Sequence, residues 1–128
     1  MRKAIFAAAS MLIAAPAAAQ DWRSGPEYDV LLTTYDIAPK EIRLKAGQPV
    51  RLRLVNNSNQ GLSFSAKSFF RSAQARQRDG DGFKSGTIKV APLSTETIVV
   101  VPKAGRYKVA GGSFVHRMLG MRGKIVVE

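Results

Sequence analysis

The sequence predicts an all-β fold, a sandwich or barrel of seven or eight short strands with one short helix. Three observations point there. Apolar and polar residues alternate with period two through most of the chain, and clusters of Pro, Gly and Asn separate the alternating runs. Only one stretch breaks the alternation for long enough to be a helix.

Residues 28–34 form the first strand candidate, and Ala38-Pro39 turns the chain after it. Ile42-Arg43-Leu44-Lys45 alternates, as does Val50-Arg51-Leu52-Arg53-Leu54. In the latter, Val50, Leu52 and Leu54 point one way and both arginines the other, the pattern of a half-buried antiparallel strand. Lys45-Ala46-Gly47-Gln48 is a turn suited to joining the two. Further strands are expected at residues 62–66, 86–90, 95–101, 105–110 and 124–127. Turn signals at Asn56-Asn57-Ser58-Asn59, Ala91-Pro92, Pro102-Lys103-Ala104-Gly105 and Gly111-Gly112 separate them. The helical stretch is residues 67–77, where Phe69, Phe70 and Ala73 form a narrow apolar stripe. Asp79-Gly80-Asp81-Gly82 ends it.

The opening MRKAIFAAASMLIAAPAAAQ has a positive head at Arg2 and Lys3, an apolar stretch, and small residues at Ala17-Ala18-Ala19. That is the architecture of a secretory signal, with an apolar part too short to span a bilayer. Residues 1–19 are therefore read as a cleaved signal peptide and residues 20–128 as one exported domain. A periplasmic location follows from that reading. The chain has no cysteine, which removes thiolate nucleophiles, thiolate metal sites and dithiol redox chemistry. Its formal charge of +11 favours anionic partners such as an acidic protein or a lipid surface. Export argues against nucleic acid. Because the cations are spread along the chain, the simpler reading is that they keep strand faces soluble and edges unpaired.

The order of motifs resembles the cupredoxins. Residues 37–56 carry a proline turn, an "I-x-V-x-x-G"-like strand and a "V-x-L-x-x-x-N"-like strand. Ala104-Gly105-Arg106-Tyr107 is similar to the family's turn into its penultimate strand. His116, Met121 and Gly123-Lys124-Ile125-Val126-Val127 resemble its "H-x-x-x-x-M-x-G-x-I-x-V" ending. The nearest subgroup is the periplasmic cupredoxin-like domain at the front of bacterial iron-uptake lipoproteins. The resemblance implies a cupredoxin-like Greek-key β-sandwich. It also implies where a blue-copper centre would lie, and the departures are there. A type 1 site takes two histidines, a cysteine thiolate and a weak axial methionine. Gly111 stands at the cysteine position and Leu62 at that of the first histidine. A blue-copper electron-transfer site cannot be built from these residues.

What remains is His116, Met118 and Met121, an imidazole and two thioethers within six residues. That donor set suits Cu(I). Two readings stand side by side: a Cu(I)-handling loop, or a relic in which the methionines fill the core. A second constellation is Arg71, Arg76, Arg78 and Lys84, following Phe69-Phe70. It reads either as a docking surface for an acidic periplasmic protein or anionic surface, with the phenylalanines as anchors, or as a solvated helix whose phenylalanines cap the sandwich. Asp79-Gly80-Asp81-Gly82-Phe83 lacks the later oxygen ligands of a calcium loop and is read as a turn. There is no G-x-S-x-G elbow, no paired carboxylates and no phosphate loop, so the chain is not expected to be an enzyme.

Overall fold

Alternation along each strand gives the chain one apolar edge per strand, and two sheets close those edges against each other. The computed structural model describes Trp22 and residues 25–76, 84–111 and 121–128. The strands are β1 (Glu27–Thr33), β2 (Asp36–Ala38), β3 (Glu41–Leu44), β4 (Val50–Asn56), β5 (Leu62–Ser65), β6 (Gln74–Ala75), β7 (Thr87–Val90), β8 (Thr95–Val101), β9 (Gly105–Gly111) and β10 (Arg122–Val127), with helix α1 (Lys67–Ser72) between β5 and β6. One sheet has the order β2-β1-β4-β8-β6 and the other β3-β10-β9-β5-β7. β1 runs parallel to β4 and β3 parallel to β10, while every other pairing is antiparallel. The result is an all-β Greek-key sandwich. All eight strands expected from the sequence are present.

The core is what the period-two pattern requires. Val50, Leu52 and Leu54 of β4 are fully buried and meet Phe64, Val109 and Ile125 in one cluster. On the other side of β4, Arg51 and Arg53 face out opposite Glu27 and Asp29 of β1 in register. Arg53 Nη1 lies 3.2 Å from Asp29 Oδ1.

Two local expectations are corrected, and one open alternative is resolved. Residues 45–48 do not close a hairpin, because β3 and β4 belong to different sheets. The turn is an inter-sheet corner, held by the N–H of Ala46 to the carbonyl of Glu128 and of Gly47 to that of Pro102, both at 3.0 Å. Gly47 takes φ 82°, which a side chain resists. The helix stops at Ser72 and does not reach residue 77. Ala73 is extended, and the next two residues pair with Val101 and Val100 as an edge strand. The open edge of β8 offers backbone partners that outweigh the helical propensity of an Ala-Gln-Arg run. Finally, Phe69 and Phe70 are both interior, stacked edge-on with centroids 5.3 Å apart. They close the sandwich and are not surface anchors.

Candidate functional site

One end of the sandwich is defined by the ends of β4, β7 and β9 and the start of β5 and β10. Asn56 organises it. Its side-chain nitrogen donates to the carbonyls of Gln60, Val90 and Ala91 at 2.8, 3.0 and 3.0 Å. Its side-chain oxygen accepts from the Ser58 N–H at 3.0 Å and from the Ser58 hydroxyl at 2.8 Å. A buried amide thus has both ends satisfied and pins β4 of one sheet to β7 of the other. The sequence places Asn56 at the end of the V-x-L-x-x-x-N motif and in a turn, without showing its bonding role. Its burial at the end of an alternating strand, in phase with Val50, Leu52 and Leu54, was the available signal.

Leu62, where the resemblance places the first histidine, is buried in the core cluster and pairs with Val90. Gly111, where it places cysteine, pairs with Phe64 and donates its N–H to the Met121 carbonyl at 2.9 Å. Met121 is fully buried. A β-carbon at Gly111 would stand 2.7 Å from the Met121 sulfur, 2.6 Å from its methyl and 2.8 Å from its Cγ. Those distances are closer than non-bonded atoms tolerate, so the thioether lies over the Gly111 α-carbon in the space a side chain there would use. The constraint at Gly111 is one of space, which Met121 would have to vacate, and not of backbone conformation, because Gly111 is not among the residues of positive φ.

These residues do not fit type 1 copper. The thiolate position has no sulfur of its own and is covered by Met121, and the first imidazole position is a core leucine. Among the described residues no three His, Cys, Asp or Glu side chains converge. His116 and Met118 lie outside the described residues, so Met121 is the one member of the sulfur and imidazole set whose surroundings are seen.

Of the nominated cations, Arg71 and Lys84 come together while Arg76 lies apart. Arg71 lies on the surface in the last turn of α1 and, with Lys67, Lys84, Ser85 and Gly86, lines a cleft of about 200 Å³. Lys67 was not foreseen; it comes in because Gly86, at φ 76°, lets the chain pass against it, and a β-carbon there would stand 2.9 Å from the Lys67 α-carbon. Arg76 is half-buried after β6, its N–H directed at the Val99 carbonyl at 3.4 Å, and does not line the cleft. Arg78 and the Asp79-Gly80-Asp81-Gly82 turn lie outside the described residues.

Residues 3–127 match a family model described as a cupredoxin-like domain. Among solved structures, auracyanin A, a "blue" copper protein from the green thermophilic photosynthetic bacterium Chloroflexus aurantiacus, superposes with a TM-score of 0.55 at 20% identity, covering 81% of this chain and all of that one. Dithionite-reduced auracyanin from the photosynthetic bacterium Roseiflexus castenholzii gives 0.58 at 16% identity, over 82% and 98% of the two chains. Auracyanin B gives 0.57 at 16% identity, over 91% and 93%. No curated protein matches the chain in sequence. At these identities the solved structures are similar in fold.

Proposed function

Since the chain belongs to the cupredoxin-like domain family, we propose that it is an exported, metal-free member that serves as a binding module and not as an electron carrier or an enzyme. The observation that carries this reading is the interlock of Gly111 and Met121. The space a copper-bound thiolate would need is filled by a fully buried thioether. A core closed in this way needs no ion to hold the end of the sandwich together. The signal-like residues 1–19 support work in the periplasm. The excess of positive charge makes an acidic protein or anionic surface the natural partner.

A second reading has its own support. Met121 brings a soft sulfur to the place where the family puts its thiolate, and His116 and Met118 precede it by five and three positions. These three donors would suit Cu(I) handling.

A competitive Cu(I) titration of the purified mature chain against a chromophoric chelator separates the two, repeated with His116→Ala. The metal-free module leaves the chelator fully loaded with either chain. Stoichiometric transfer of copper to the protein, lost in His116→Ala, overturns it in favour of copper handling.

A further inference from the structure

The cations that look scattered in the sequence are gathered by the register of the strands. In the sheet ordered β3-β10-β9-β5-β7, inward positions are Ile42, Leu44, Ile125, Val127, Val109 and Phe64. The alternate positions therefore face out, and they include Arg43, Lys89, Arg106, Lys108, Arg122 and Lys124. Glu41 is the one carboxylate among the outward strand residues of this sheet, already engaged by Lys124 at 3.3 Å and by Arg43. Its hydrogen bond with Lys124, reinforced by the charge of Arg43, holds its carboxyl below the usual range, so it is ionised and still outnumbered. The opposite sheet differs. There Arg51 and Arg53 face Glu27 and Asp29, and Asp36 of β2 adds a further carboxylate. One face of the sandwich is balanced in charge; on the other, Glu128 directly after β10 adds a second carboxylate 3.7 Å from Arg43, and the cations still outnumber the carboxylates.

The cationic face is also arranged against folding stability. Lys108 and Lys124 stand directly opposite each other on β9 and β10. Like charges in that position destabilise an antiparallel pair. Arg106 and Arg43 flank Val126 from either side in register. Among the described residues, the exposed large apolar ones, Leu31, Tyr35 and Leu93, lie off these strands. Among the described residues this face presents no exposed aromatic or large aliphatic anchor of the kind that gives protein–protein interfaces their energy. A broad, predominantly cationic surface suits a partner that is itself broad and uniformly anionic.

We propose that the outer face of the β3-β10-β9-β5-β7 sheet docks on an anionic lipid bilayer. The inference rests on the binding-module reading above and names its partner and its surface. Binding is by charge, without insertion, and each Lys or Arg held near such a surface adds to it.

The test is co-sedimentation of the purified mature chain with vesicles of phosphatidylcholine alone and with phosphatidylglycerol added. Binding is expected only to the anionic vesicles, and salt should release it. The double reversal Arg106→Glu/Lys108→Glu should lower the partition coefficient about tenfold or more. The reversal Arg71→Glu/Lys84→Glu in the separate cleft should change it little. Thermal unfolding verifies that each variant is folded. Loss of binding in the cleft variant alone overturns the choice of face. Failure to bind anionic vesicles, with salt-sensitive retention on immobilised polyglutamate, overturns the bilayer and leaves the binding-module reading standing with an acidic protein partner. Retention on neither removes both.

Discussion

At the scale of single residues, Gly111 and Met121 define each other. Adding a methyl at 111 forces the Met121 side chain out of a position where it is fully buried. Gly111→Ala is expected to cost about 1–3 kcal/mol, the usual penalty of overpacking. Met121→Ala, which empties the same space, should cost about 2–5 kcal/mol. The two are not independent, since each removes the reason for the other. Gly111→Ala/Met121→Ala should therefore lose less than the sum of the singles, by about 1 kcal/mol in a urea-unfolding cycle. Strict additivity would mean that the thioether does not occupy the Gly111 space. The departure of residue 111 from cysteine was legible in the sequence. What fills the gap was not, because it depends on the direction of a side chain ten positions away. The role of Asn56 was hidden for a related reason: Asn beside Asn-Ser-Asn signals a turn, while its three backbone acceptors come from the folded ends of two other segments.

At the scale of elements, strands were readable wherever the alternation ran for four residues or more. β2 and β6 escaped because segments of three and two residues are shorter than any pattern. Residues 45–48 carried a turn signal without saying whether the chain returns to the same sheet or crosses to the other. Around α1, propensity favoured a longer helix, and pairing with the β8 edge cut it short. The element is held by its apolar residues. Phe69 packs edge-on against Phe70 and against Tyr107, whose hydroxyl donates to the Lys103 carbonyl at 2.7 Å. Phe69→Ala should cost about 3–5 kcal/mol. Arg71→Ala, on the exposed side of the same turn, should stay within about 0.5 kcal/mol. A large loss in Arg71→Ala, read from the midpoint of urea unfolding, would make this short helix depend on its charge and not on its rings.

At the scale of the whole molecule, the two outer faces of the sandwich do different things with charge. Composition disclosed the excess of cations and could not disclose their distribution. Residues 43, 106, 108, 122 and 124 come from three separate stretches of the chain that become neighbours only through strand order and register, with residue 89 on the edge strand of the same sheet. That arrangement opposes folding, so weakening it should stabilise the protein. Lys108→Glu replaces a repulsive pair with Lys124 by an attractive one. It is expected to raise stability by about 0.2–1 kcal/mol, the range of cross-strand charge pairs. Added salt works in the same direction. Ion pairs such as Arg53 with Asp29 are exposed and contribute little, whereas the cation-rich face repels itself over distances comparable to the Debye length of about 10 Å at 0.1 M. Raising ionic strength should therefore increase the melting temperature of the natural chain, and should do so less for Lys108→Glu. A melting temperature that falls with salt would show that the paired face dominates. The cationic face would then be no cost to folding, and its like-charge register no sign of a surface kept for binding.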